Sequence, residues 1–198
     1  MVDESGTIRS FVAIELPPAV RAFCQAAMDQ ARQKLGSDAA AVRWVDPEGI
    51  HLTLKFLGAV PGDRVPVLID RLRVGLAGQP PSTLTIGRLG VFPGPRAPRV
   101  VWLAVLGDDA ALDACQRRVE DATVSLGYPR EQRAFRPHLT LGRVRAVATP
   151  EQRAAIGALP ASWPAETSPS FMVAAASLMQ SHLGPGGARY SRLAELPF

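Results

Sequence analysis

The tetrapeptide His-Leu-Thr-Leu occurs twice in this chain, at 51–54 and again at 138–141. From the chain's own composition, a second chance copy is expected roughly once in a thousand such sequences, so the pair reads as an internal repeat. The copies begin 87 residues apart and hold two of the three histidines. A repeat of this kind constrains the fold to two similar halves about a pseudo-two-fold axis. It also places the same histidine and hydroxyl in each half.

The 198 residues suffice for one domain made of two lobes sharing a core. Hydrophobic content of 47% and charged content of 20% fit a globular protein. The polar segment Met1–Thr7 is expected to fray, and it lacks the basic and apolar regions of a secretory leader. The longest apolar run, near 171–179, is too short to span a bilayer. A cytoplasmic monomer without membrane association is expected. Cys24 and Cys115 lie on apolar faces of predicted helices with no metal-type spacing, so they read as small buried hydrophobes rather than a disulfide. The net charge of +4 comes from twenty arginines and only two lysines, Lys34 and Lys55, against eighteen acids. A genomic bias toward arginine codons is the plain reading of that excess, and the placement is more informative. Arg130, Arg133, Arg136, Arg143 and Arg145 surround the second motif, and guanidinium forks suit an anionic, phosphate-bearing substrate.

The pattern of elements repeats with the motif. Arg9–Glu15 reads as a strand. Pro17-Pro18 opens a helix that Gly36 closes, with Val20, Phe23, Cys24, Ala27 and Ala31 on one face. A short extended piece at 42–45 precedes the first motif strand, 50–57, and a loop at 58–62. Asp63 is expected to cap a helix carrying Val65, Leu68, Leu72 and Leu76, and 82–92 is a strand. The stretch Pro93–Pro98 cannot be regular structure and marks a mid-chain turn or linker. Then come a strand at 99–106, a helix capped by Asp108 or Asp109 and ended by Gly127, and the second motif strand, 137–144. Thr149-Pro150-Glu151-Gln152 is a capping box opening a helix to about Gly157. A strand at 170–179 and a turn at 184–187 lead to a last strand within about 188–195. The expected fold class is α+β. It is a single duplicated domain of two lobes, built mainly from about 8–92 and 99–180, with two antiparallel sheets facing a central cleft and helices outside.

Strand parity divides the motif into two parts. Residues i and i+2 share a face, so His51 and Thr53 point one way and Leu52 and Leu54 the other. His138 with Thr140, and Leu139 with Leu141, repeat this. Lys55 is expected to continue the polar face of the first copy, where the second has Gly142. Two imidazoles across a cleft can give and take protons near neutral pH, while threonine hydroxyls donate to the oxygens of a phosphate. A purely structural strand position would take Val, Ile or Phe as readily as His, and matched histidines in both copies argue against that reading. Zinc would want further ligands, and no Asp or Glu stands at ligand spacing beside the motifs. No nucleophile elbow, P-loop or dinucleotide-binding glycine pattern is present. His182, in Ser-His-Leu-Gly-Pro, reads as an exposed loop residue.

Two His-x-Thr-x motifs some 90 residues apart resemble the 2H phosphoesterase superfamily. The stretches RSFVAIELP, VRWVDPEGIHLTLKFLG, RVVWLAV, FRPHLTLGRVR and SLMQSHLGPGGARY resemble, over nearly the whole chain, the bacterial and archaeal RNA 2′,3′-cyclic phosphodiesterases, once called 2′–5′ RNA ligases. Gly49-Ile50 departs from the Asn-Leu frequent there and is expected to touch no catalytic position. The resemblance implies a hydrolase, without metal or cofactor, that opens a terminal 2′,3′-cyclic phosphate on RNA to a 2′-phosphomonoester. RNA with such an end, tRNA fragments included, would be its partner. It assigns His51 as proton donor, His138 as proton acceptor, and Thr53, Thr140 and Arg143 to the phosphate. In an ideal strand Arg143 would point away from His138, and a bulge or strand end at Gly142 would bring it round. Arg136 is the reserve. Phe11, Trp44 and Tyr190 are candidate base platforms. Reversible 2′–5′ ligation, action on a small cyclic nucleotide, and a non-catalytic module binding RNA ends are the alternatives. The last would be favoured by loss of a histidine, and both are present.

Overall fold

The computed structural model describes residues 6–163, 168–184 and 187–198. Most of the segment expected to fray, and positions 185 and 186 of the expected last turn, lie outside these. The strands are β1 (Thr7–Glu15), β2 (Val42–Trp44), β3 (His51–Pro61), β4 (Ser82–Phe92), β5 (Val100–Gly107), β6 (His138–Val144), β7 (Ser170–Val173), β8 (Ala175–Gly184) and β9 (Gly187–Pro197). The helices are α1 (Pro18–Leu35), α2 (Val65–Leu76), α3 (Asp109–Val124) and α4 (Pro150–Ala158).

All paired strands are antiparallel, in the order β7-β4-β5-β6-β3-β1-β8-β9, with β2 added to β6. The α+β duplicated architecture stands, and its two sheets meet edge to edge as halves of one hydrogen-bonded network. They join where the motif strands touch, at the pair Leu52–Leu139. Each repeat lends its last strand to the other: β4 pairs with β5 of the second, and β8 pairs with β1 of the first. This exchange ties the two repeats, about 8–92 and 99–180, to each other. The Pro93–Pro98 stretch accordingly closes a β4–β5 hairpin across Phe92–Val100.

Each leucine of the motifs lies on the helix-covered face. Leu52, Leu54, Leu139 and Leu141 form one core with Val20, Cys24 and Met28 of α1, Leu68, Leu72 and Leu76 of α2, and Leu112, Cys115 and Val119 of α3. The helices α2 and α3 approach closely because Gly75 faces Ala122, where an added Cβ would lie 2.9 Å from the Ala122 methyl. Both cysteines are free and buried, and burial pushes each thiol up to about 12. Among the described residues, no helix is long and apolar enough to cross a membrane.

Local signals hold where one side chain decides them. Asp108 accepts from the Ala111 amide, and Thr149 with Gln152 forms a complete capping box. Gly36 closes α1 at positive φ. Asp63 does not cap α2, which starts at Val65 after a 3₁₀ turn and has no side-chain cap. The expected loop at 58–62 is strand as far as Pro61, because β1 continues its ladder to the pair Thr7–Pro61, and Gly62 opens a 3₁₀ turn. The expected strand at 170–179 breaks at Ala174, where the chain crosses from β4 at one end of the sheet to β1 in the other half.

Two bulges occupy the same place in each repeat. Leu54 is unpaired between Thr53–Ala13 and Lys55–Val12, and Leu141 is unpaired between Thr140–Trp102 and Gly142–Val101. A bulge reverses side-chain parity beyond it. Lys55 is therefore turned into the core, which corrects its expected place beside His51 and Thr53. Its ammonium pairs with Glu120 of α3 and donates to the Pro129 carbonyl at 2.8 Å. Both side chains of this pair are at least 95% buried. In the second copy Gly142 stands at this place because β2 packs against it: an added Cβ would lie 2.5 Å from Val42. Removing one partner of a buried ion pair strands the other charge, so Lys55→Met should cost about 3–5 kcal/mol in denaturant unfolding. The double variant Lys55→Met/Glu120→Leu should recover most of that loss.

Candidate active site

Antiparallel register around Leu52–Leu139 puts Thr53 across from His138 and His51 across from Thr140. The four chemical side chains occupy the corners of a quadrilateral on the face away from the helices. The two histidines form one diagonal; such diagonal neighbours lie roughly 7–8 Å apart. Both histidines and both threonines line one cleft of about 950 Å³. Neither threonine hydroxyl bonds to any described residue.

Both imidazoles are oriented in the same way. His51 Nδ1 lies 2.8 Å from the Gly49 carbonyl and His138 Nδ1 lies 2.7 Å from the Arg136 carbonyl. A carbonyl only accepts, so each Nδ1 carries the proton and each Nε2 is the reactive nitrogen. Rings hold them from the sides. Phe11 stacks on His51 at 4.5 Å and Tyr190 meets it edge-on at 5.0 Å. Phe92 stands edge-on to His138 at 5.1 Å and stacks on Trp102, whose ring lies over Gly90.

The surroundings of the two histidines differ. The cross-strand partner of His51 is Glu15, whereas that of His138 is Ala104. Glu15 accepts from the Ser177 hydroxyl at 2.5 Å and pairs with Arg192 at 3.3 Å. Burial lowers His51 below the ordinary histidine value; the Gly49 carbonyl and the Glu15 carboxylate pull it upward, and His138 adds a small downward push.

Beyond the Leu141 bulge, Arg143 lines the same cleft as His138, so the expected bulge is present. Its cross-strand neighbour is Arg43 of β2, which also lines the cleft. Neither guanidinium has a partner among the described residues. Among the described residues the cleft carries Arg9, Arg43, Arg143 and Arg189 against one acid, Asp46. Its field favours an anion.

The family model of the 2′-5′ RNA ligase superfamily matches residues 16–185. The chain belongs to this superfamily. A relative from Methanothermobacter thermautotrophicus named RNA 2′,3′-cyclic phosphodiesterase is 34% identical over 184 residues, covering 93% of this chain and 95% of that protein. One of the same name from Archaeoglobus fulgidus is 30% identical, covering 70% and 73%. The structure of E. coli LigT complexed with 3′-AMP aligns with a TM-score of 0.70 at 27% identity, covering 96% of this chain and 98% of that one.

Arg136 supplies its carbonyl to His138, but it does not line the cleft. Arg130 pairs with Asp121, and Arg145 donates to the Ala40 carbonyl at 3.0 Å. Phe11 is 2% exposed and stacks on His51, and Tyr190 lines the cleft and meets both rings edge-on, so both hold the imidazole in place. Trp44 lines the cleft while Arg32 stacks over its ring at 5.1 Å. His182 lies on β8, lines the cleft and shares a hydrogen bond of 2.9 Å with Ser191; it is not a loop residue. Gly49 lies on the cleft wall beside His51. Its carbonyl orients His51, and an added Cβ would come within 3.1 Å of the Tyr190 ring. Among the described residues no three of His, Cys, Asp and Glu come together as a metal site would need.

Sequence reasoning missed Glu15, Arg43 and Phe56. The signal for Phe56 was available, since it stands five residues after His51 as Arg143 does after His138. Glu15 stabilises the imidazolium form of His51, so Glu15→Gln should lower the His51 titration midpoint. The His51 imidazole proton resonances followed through a pH titration check this.

Proposed function

We propose that this chain hydrolyses the terminal 2′,3′-cyclic phosphate of RNA to a 2′-phosphomonoester, with His51 as proton donor and His138 as proton acceptor. The observation that carries the reading is the quadrilateral itself. Two imidazoles with outward Nε2 atoms alternate with two unengaged hydroxyls, and an unpaired guanidinium stands beside them. The relatives named RNA 2′,3′-cyclic phosphodiesterase support the substrate class.

In-line displacement at phosphorus needs a base on one side and an acid on the other. His138 Nε2 takes a proton from water as its oxygen bonds to phosphorus. The P–O3′ bond breaks, and His51 Nε2–H protonates the departing 3′-oxygen. The 2′-ester bond persists, and proton exchange with solvent resets both rings. Thr53, Thr140 and Arg143 hold the non-bridging oxygens, where charge grows in the transition state. His51 as donor has the Glu15 carboxylate as its neighbour, which offsets part of the lowering by burial, while His138 stands beside Ala104. The strained ring ester and these donors leave no step that requires a metal.

His51→Ala and His138→Ala should each lower kcat for a cyclic-ended oligonucleotide by about 10²–10⁴-fold. The circular dichroism spectrum should be unchanged, and EDTA should have no effect. Full activity in both variants contradicts the reading. If a 5′-hydroxyl replaces water, the same displacement leaves a 2′,5′ linkage, and product analysis distinguishes ligation from hydrolysis. Tight binding of the cyclic end without turnover would favour a binding module.

A further inference from the structure

The short strand β2 has no counterpart in the segment before His138, where no strand forms. It is fastened to β6 on both sides of Arg43. The Val45 amide donates to the carbonyl of the bulged Leu141 at 3.0 Å, and the Arg145 amide donates to the Ala41 carbonyl at 2.8 Å. Val42 is buried in the core and Trp44 packs against it. Alternation then turns Arg43 to the cleft, directly opposite Arg143. Like charges directly opposite on a sheet repel each other. No described carboxylate pairs with either guanidinium. Asp46, the one acid of the cleft among the described residues, accepts instead from the Glu48 amide at 3.0 Å.

We infer that Arg43 is a second guanidinium on the reacting phosphate, acting with Arg143 on the charge of the transition state. This rests on the proposed reaction and adds a catalytic residue to it. A cyclic phosphate carries one negative charge. A second develops on its non-bridging oxygens as water gives its proton to His138 and bonds to phosphorus. The 2′-phosphomonoester product keeps most of that second charge near neutral pH. Two adjacent forks match a dianion better than a monoanion, so the second arginine stabilises the transition state more than the substrate. The repulsion between the two cations is relieved by the same anion. The absence of a Cβ at Gly142 therefore serves the reaction, because it admits the strand that carries Arg43.

Arg43→Ala should lower kcat for a cyclic-ended oligonucleotide by about 10- to 150-fold, with KM changed less. Arg43→Lys should recover part of the loss, since an ammonium keeps the charge without the fork. Inhibition by a nucleoside 2′-monophosphate, which carries a single phosphate, should weaken in Arg43→Ala by a similar factor. In phosphate-free buffer the unfolding midpoint of Arg43→Ala should hold or rise, because one of two like charges is gone. Inorganic phosphate should raise the wild-type midpoint more than that of the variant. An unchanged kcat overturns the assignment and leaves the reaction intact. So does a loss confined to KM with inhibition by the nucleoside 2′-monophosphate unchanged, since Arg43 would then serve another phosphate of the strand. A lowered midpoint, or equal stabilisation of both proteins by phosphate, also overturns it. Absence of turnover by the wild type overturns the reaction and this role in it.

Discussion

The pairing of Leu52 with Leu139 is the contact on which the rest depends. It is where the two motif strands meet, and it fastens the two half-sheets into one. Both leucines are buried under the helices, so the core energy of the motif is realised on one face. Alternation then obliges the flanking histidines and threonines to appear on the other. The site is the reverse side of a hydrophobic contact, and its geometry is as rigid as that contact. The exchange of β4 and β8 between repeats strengthens the arrangement, because neither half can move without breaking ladders in the other.

Symmetry alone would give a site without direction. The chain breaks it in three places. Glu15 faces His51 where Ala104 faces His138, Phe56 answers Arg143, and Lys55 answers Gly142. The second lies in the cleft, and the third lies in the packing beneath it. Lys55 ties β3 to Glu120 and the Pro129 carbonyl. Gly142 instead admits β2, which brings Arg43 beside Arg143.

Much of this was legible in the residues. The repeated tetrapeptide named both histidines and threonines, parity divided packing from chemistry, and the capping box at Thr149 announced its helix. What was missed has one main cause. The bulge invoked to bring Arg143 into the cleft applies equally to the first repeat. Applied there, it turns Lys55 inward and Phe56 outward, as observed. The break at Ala174 and the strand exchange follow from long-range pairing, which no local pattern encodes. Phe11 and Tyr190 were correctly placed near the site, but an aromatic residue by itself does not say whether it holds a substrate or an imidazole.

The central claim is that the two histidines act on opposite sides of one phosphorus, His51 toward the leaving oxygen and His138 toward water. A 2′,3′-cyclic phosphate with sulfur in place of the 3′-bridging oxygen tests it most directly, because a thiolate leaves without a proton. On that substrate His51→Ala should turn over at close to the wild-type rate, while His138→Ala stays inactive. Rescue of His138→Ala instead, or of neither variant, would contradict the assignment.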